Sequence, residues 1–251
     1  MTIKSADRVL EILAFVAKEQ PVSMKEIRDQ LVLPRSSLHG LLGVLVDHGF
    51  LSLGQGGAYS IGLRAFEVGA TWSNNMTIEG AAAETLRNLV AEVKQIAHVG
   101  ILDGDDVIYV LKEENERPVR LVSAVGKRLP AHATALGKIL MQGLTDDEIR
   151  ALYPTEALPR LTGNTLATRE DLIAVVRESA KSGYCVDRGE STVGVTCFAA
   201  PLFDRDGRLV AALSVSVIDA DPLRKLDGDY LEAVTRAAAT ISTRLGFRGV
   251  S

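Results

Sequence analysis

The sequence predicts an α+β protein in two parts, and three observations carry that reading. Residues 22–61 hold two short helical patterns across a proline break, followed at once by a glycine-centred hairpin. Residues 77–251 alternate helices with strands joined by tight turns, an order that fits a largely antiparallel sheet flanked by helices rather than a doubly wound fold. At 251 residues the chain is also longer than the first pattern needs and suits two domains.

A first helix is expected from Ser5 or Ala6 to Lys18, with Val9, Ile12, Leu13 and Val16 facing a core. Ser23 then reads as an N-cap, and Glu26 three residues on completes a capping box. Met24, Ile27 and Leu31 give that helix an apolar stripe. Leu33-Pro34 breaks the chain, because proline disfavours helical geometry in the residue before it, and Pro34 is expected as the first residue of the next helix. There Leu38, Leu41, Leu42 and Leu45 fall on one face of a 3.6-residue period.

The opposite face of the second helix carries Ser36, Gly40, Gly43 and Asp47, flanked by Ser37 and His39. Each glycine inside a helix costs about 1 kcal/mol relative to alanine, so close approach to another surface is the expected reason for keeping two. Leu51–Leu53 and Ala58–Ile61 around Gly54-Gln55-Gly56-Gly57 read as a hairpin, the wing of a winged helix. The glycines do not fit G-x-G-x-x-G and precede a strand, which excludes a nucleotide-cradling loop. A short helix, a sharp turn and a polar-faced second helix form the arrangement that enters a DNA major groove. The competing reading is a helical hairpin packed against protein.

Arg28, Arg35, Ser36, Ser37, His39 and Gly40 are the expected DNA-contacting residues, most of them in the first turns of the second helix. Residues 1–76 carry seven basic residues (Lys4, Arg8, Lys18, Lys25, Arg28, Arg35, Arg64) and seven acidic ones (Asp7, Glu11, Glu19, Glu26, Asp29, Asp47, Glu67). That balance lacks the basic field of a non-specific nucleic-acid binder. Affinity for double-stranded DNA then has to come from local placement of Arg28, Arg35 and Arg64 and from two or more copies binding together, so a homodimer is expected.

The segment 63–76 reads as a linker helix, giving expected boundaries of 1–62, 63–76 and 77–251. Beyond it come a helix at Ile78–Val93, strands at Ala97–Leu102, Val107–Leu111 and Val119–Val125, and helices around Thr134–Gln142, Asp146–Leu152 and Arg169–Ser182. Strands Val195–Phe203 and Arg208–Val217 precede a closing helix from about Leu226 to Leu245. The net charge of −4 gives no hint of a membrane surface, and no apolar run approaches the ~20 residues of a membrane span. Cys185 and Cys197 are the only cysteines, and the N-terminus lacks a signal-peptide pattern, so a reducing cytoplasm without disulfides is expected.

The last hairpin makes the sharpest structural forecast. With Asp206-Gly207 as a two-residue turn, Arg205 pairs with Arg208, Cys197 lies opposite Ser216, and Ala199 opposite Ser214. Strand alternation puts those four on one face and Phe198, Val215, Ala200 and Leu213 on the other. A face of small, weakly polar groups leaves room for a ligand, although a half-solvated face has the same composition. Leu129 to Lys138 reads as a loop entering a helix capped by Thr134, whose first amides attract an anion. Asp187 stands just before the glycine-containing loop 189–194 as a candidate acceptor for a ligand hydroxyl or amine.

These stretches resemble the IclR family of bacterial transcription regulators over nearly the whole chain. The resemblance rests on LPRSSLHGLLGVLVDHGFL at 33–51, GKRLPAHATALGKILM at 126–141, GYCVDRGESTVGVTCFAAPLFD at 183–204 and AALSVSV at 211–217. It implies an N-terminal winged helix, a linker helix and a C-terminal GAF-like effector-binding domain, in dimers or dimers of dimers. The implied ligand is a small organic molecule, a carboxylate or aromatic catabolite, that controls operator binding, more often as a repressor. The implied pocket uses Leu129, Ala135, Leu136, Asp187, Cys197, Ser214 and Ser216, the last three already on one face by hairpin register. Many relatives carry a larger polar residue at the position of Gly40, so operator contacts do not transfer there, and some carry a smaller one at Leu136, whose bulk here implies a different ligand size or polarity.

No catalytic activity, cofactor or metal is expected. The histidines His39, His48, His98 and His132 are scattered without ligand spacing, and neither G-x-S-x-G nor H-E-x-x-H occurs. Two alternatives remain open: a Cys197 nucleophile beside His132, and a metal- or thiol-responsive regulator using Cys185, Cys197, His132 and Asp187.

Overall fold

The computed structural model describes residues 4–74, 77–114, 123–221 and 224–248. The chain divides into two compact units, Met1–Met76 and Thr77–Ser251. Together they form the expected α+β fold.

In the first unit, α1 (Lys4–Glu19) buries Ile12 and Val16 and half-buries Val9 and Leu13. β1 (Val22–Ser23) leads into α2 (Met24–Leu31), whose capping box closes as Ser23 N–H and Oγ each reach Glu26 Oε2 at 2.7 Å. Glu26 N–H donates back to Ser23 Oγ at 3.3 Å. α3 (Arg35–Asp47) buries Leu38, Leu42 and Leu45. Pro34 is its N-cap, not its first helical residue as expected. The extended backbone that proline favours there starts the helix without any side-chain cap.

β2 (Leu51–Leu53) and β3 (Ala58–Ile61) form the wing hairpin with the predicted bounds, pairing Leu51 with Ile61 and Leu53 with Tyr59. The two-residue β1, absent from the sequence reading, adds Val22 opposite Tyr59 and makes a three-stranded sheet. Gly62 is needed for close approach, because a Cβ there would lie 2.2 Å from Gly49 O. α4 (Leu63–Asn74) follows.

The second unit opens with α5 (Thr77–Val93) and continues through β4 (Ile96–Asp103), β5 (Asp106–Glu113), β6 (Arg128–Pro130) and α6 (Ala135–Met141). Next come α7 (Asp146–Leu152), α8 (Arg169–Ser182), β7 (Cys185–Arg188), β8 (Val195–Phe203), β9 (Leu209–Ile218) and α9 (Asp227–Arg244). The six strands form one antiparallel sheet in the order β6-β5-β4-β9-β8-β7. On one side Phe198 of β8 stacks on Tyr230 of α9 at 5.4 Å. On the other, Ala199, Ala212 and Tyr109 pack with α6 and, outside it, with Leu172 and Val176 of α8.

Of the strand expected at Val119–Val125, 119–122 lie outside the described residues, and 123–127 form a loop and turn. One further departure has a local cause. The β8–β9 turn closes around three residues, with Gly207 N–H bonded to Asp204 O and Asp204 N–H to Arg208 O, rather than around Asp206-Gly207 alone. Gly207 takes φ +75°, and a bulge between Leu202 and Phe203 absorbs the extra residue. The predicted pairs Cys197–Ser216 and Ala199–Ser214 survive for that reason.

Val32, at the C-cap of α2, holds φ 51° and ψ 47° while 86% exposed. A β-branched residue in the left-handed region is strained, and no burial offsets that strain here. Replacing Val32 by glycine should therefore stabilise the first unit by roughly 1 kcal/mol. Denaturant unfolding of Val32→Gly against the parent chain checks this; an unchanged or lower midpoint contradicts it.

Candidate functional site

The outer face of α3 is small and sparsely charged. Arg35, Ser36, His39 and Gly40 are exposed, Ser37 is half-buried, and Gly43, Val44 and Asp47 continue the same exposed surface. A Cβ at Gly40 or Gly43 would find no atom within 4 Å, so neither glycine is required by packing inside the chain. Arg28 departs from this cluster. It sits on α2, half-buried, with Nε and Nη2 both donating to Asp29 Oδ1 at 2.8 and 2.6 Å.

In the second unit the strand pairings align two rows of side chains on the sheet face beneath α6. One row runs Asp187, Cys197, Ser216 and Ile96 across β7, β8, β9 and β4. The next runs Cys185, Ala199, Ser214, His98 and Lys112 and reaches β5. Asp187, Ser214 and Ser216 are buried, and Cys197 is half-buried with its Sγ 3.3 Å from Ser216 Oγ. Leu136 lies over this face, with its Cδ1 3.3 Å from the position a Cβ of Gly100 would take. Leu129 belongs to β6, on the opposite edge of the sheet from Asp187, and packs against the same core.

The start of α6 is held as the sequence suggested: Thr134 Oγ1 accepts from Gly137 N–H at 3.0 Å. Gly137 is indispensable to that seat, since a Cβ there would stand 2.2 Å from Ala131 O. All seven residues of α6 are buried, Lys138 included. Its ammonium donates to Glu190 Oε1 in the loop after β7, a pairing that a buried charge requires. That loop is fixed further by Thr165 Oγ1 on Glu190 O at 2.6 Å and Thr162 Oγ1 on Gly189 O at 2.7 Å. Asp187 Oδ1 accepts from Glu190 N–H at 2.7 Å.

Burial sets the protonation states here. It pushes Asp187 up to about 6, against the opposing effects of the Glu190 amide and Lys138. Burial, helped by the Asp187 charge, pushes the Cys197 thiol up to about 12, so it is a neutral lining group and a poor nucleophile. His132 offers it no help, because its ring is bonded to Pro159 O at 2.8 Å and packs edge-on against Tyr153. Among the described residues no three His, Cys, Asp or Glu side chains gather as a metal-binding group.

His98, Tyr109, Lys138 and Glu190 neighbour these rows and were not singled out from sequence as candidate site residues. His98 stacks on Tyr109 at 4.2 Å, and its Nε2 lies 2.9 Å from Ser123 Oγ. Burial and the nearby Lys112 and Lys127 hold it down to about 3, so the ring is neutral. Its Nδ1 is buried and has no hydrogen-bond partner among the described residues. The one usable sequence signal was the uniformly apolar setting of Lys138 in ALGKILM, which marks a helix buried on all sides.

The comparisons agree along the whole chain. Residues 5–53 match the IclR helix-turn-helix domain, and residues 70–243 match the bacterial transcriptional regulator IclR C-terminal region. The HTH-type transcriptional regulator XynR of Escherichia coli (strain K12) is 33% identical over 248 residues, 98% of each chain. The HTH-type transcriptional repressor AllR of the same strain is 31% identical over 251 residues, covering 98% of this chain and 91% of that protein. Among solved structures, a transcriptional regulator from Rhodococcus sp. RHA1 superposes with a TM-score of 0.83 at 27% identity, covering 97% of this chain and 98% of that one.

Two measurements test the geometry. Gly43→Ala should raise stability by about 1 kcal/mol, since the added methyl meets nothing, while lowering DNA affinity through the same methyl. A change of both in one direction contradicts the assignment of this face. The second concerns pH. The folded chain keeps a proton on Asp187 up to about 6, against an ordinary value of 3.8, so its contribution to stability is present below pH ~4 and lost as pH rises through ~6. His98 runs oppositely, with a contribution present above its ordinary 6.5 and lost as pH falls toward about 3. Between pH 4 and 6 the two oppose each other. Asp187→Asn should therefore lose stability more steeply than the parent on acidification from pH 6 to 4, by up to ~1.4 kcal/mol per pH unit. Equal slopes in denaturant titrations would show that Asp187 carries no raised proton affinity.

Proposed function

The chain belongs to the IclR family of bacterial transcriptional regulators, and we propose that it is a repressor whose operator binding is set by a small organic acid or aromatic effector held beneath α6. The observation that carries this is the alignment of Asp187, Cys197, Ser214 and Ser216 on the one sheet face that α6 covers. Effector binding there needs no chemistry from the protein. The amides of Ala135 and Leu136 at the start of α6 favour an anion, and the serine hydroxyls and Asp187 take hydrogen bonds from the rest of the ligand. Leu129 and Leu136 supply apolar wall.

DNA contact is proposed for Arg35, Ser36, Ser37, His39 and Gly40, with Arg28 reaching a phosphate only after leaving Asp29. The division of labour is a DNA-reading part at 1–62, a linker at 63–76 that is helical over Leu63–Asn74 and whose last two residues lie outside the described residues, and an effector-binding, oligomerising GAF-like part at 77–251. Pairing of two copies in the cytoplasm is supported by the neutral charge of the DNA-reading part, and membership of the family suggests a dimer or dimer of dimers. It is also favoured by exposed Leu10 of α1 and Leu63 and Phe66 of α4, which present apolar surface to solvent. Repacking around the effector then reaches the winged helices through 63–76 and changes the spacing of two recognition helices that read half-sites about 34–36 Å apart. A coupling of ~1–3 kcal/mol, a 5–150-fold change in affinity, suffices.

The test joins a thermal-shift screen of small carboxylates and aromatics to a mobility-shift assay on the DNA upstream of the chain's own reading frame. A compound that raises the melting temperature should also release that DNA, and the Ser214→Ala/Cys197→Ala double variant should lose both responses while still binding DNA. An undiminished response in the double variant means that the effector sits elsewhere.

A further inference from the structure

We propose that Val44 is a specificity-determining residue of α3 that reads a thymine methyl group in the major groove. The inference rests on the DNA-reading function above and deepens it.

The starting point is what the exposed face of α3 lacks. Base edges are read most strongly by bidentate Arg or Lys on guanine and by Asn or Gln on adenine. Across Arg35–Asp47 none of these residue types occurs beyond Arg35 itself, at the first position of the helix. Ser36 and His39 follow in the first turns. Further along, the face offers only Gly40, Gly43, Val44 and Asp47. Asp47 is acceptor-only, so among base edges it suits the cytosine amino group and is repelled by phosphates.

Val44 is the exception to the polar or side-chain-free character of this surface. It is 52% exposed, whereas the leucines on the other side of the helix are buried or half-buried. It stands one helical turn beyond Gly40 and directly after Gly43, and the space in front of both glycines is open. A helix without side chains at those two positions can bring its backbone unusually near the floor of a groove, and Val44 is the apolar side chain that stands beside them. The thymine C5-methyl is the apolar group that the major groove displays, and contact with it is the direct reading available to an aliphatic side chain. The two helix-weakening glycines and the exposed valine thus have one explanation.

The magnitude follows from burying one methyl-sized group, about 4-fold in affinity for each thymine read. The full-length chain is used to select duplexes from a random pool, and each thymine of the recovered site is replaced in turn by deoxyuridine, which lacks only the methyl. In each half-site one replacement should weaken binding by the parent chain about 4-fold. Val44→Ala should bind the thymine site about 4-fold more weakly per half-site and show no further loss on the deoxyuridine site. If no thymine is sensitive, or if Val44→Ala loses as much as the parent on replacement, the assignment of Val44 is overturned while DNA reading stands. Recovery of no duplex at all would overturn the DNA-reading premise and this assignment with it.

Discussion

A lysine on a helix buried on every side has no water to turn to, and the second unit is arranged to answer that constraint. Lys138 of α6 is met by Glu190, which brings the loop after β7 against the helix. Removing one member of such a pair leaves an unpaired buried charge and costs roughly 3–5 kcal/mol. Because Glu190 also donates its amide to Asp187, the ion pair fixes the carboxylate at the end of the polar row. Because α6 is seated by Gly137 against Ala131, the helix start is held above the same row. The ion pair thereby sets one wall of the proposed effector site, and the Gly137 seat sets its ceiling.

The first unit obeys a different constraint. Its seven basic residues are balanced by seven acidic ones, and Arg28 is already engaged by Asp29. Phosphate contact supplies essentially all of non-specific DNA affinity and a large share of specific affinity, so one such unit has little to draw on. Its recognition helix compensates by fit rather than by charge, with two glycines and small polar groups on the exposed face. On the proposed function, whatever governs the pairing of two such readers also governs the operator.

Where a feature is encoded within a few residues, the sequence displays it plainly. The capping box at Ser23 and Glu26, the break at Leu33-Pro34, the wing hairpin and the Thr134 cap all depend on neighbours three or four positions away. The β8–β9 register was legible for the same reason, although its turn closes around one more residue than expected and a bulge restores the pairing. Strands β6 and β7 were not legible, being three and four residues long and defined only by distant partners. His98 was hidden likewise: nothing near it in sequence reveals that β4 lies beside β9 and puts it opposite Ser214. Lys138 shows the same limit, since its burial depends on the sheet below and α8 outside.

On the proposed function, two neutral, small-faced winged helices must act together for this chain to read DNA. The direct measurement is the affinity of the full-length chain, at one fixed salt concentration, for a duplex with both half-sites and for duplexes with one half-site destroyed or with about half a helical turn inserted between them. Cooperative engagement predicts a loss of at least ~100-fold in both altered duplexes, because the second contact is then no longer intramolecular. Affinity unchanged within a few-fold would mean that a single copy suffices, and would contradict the account.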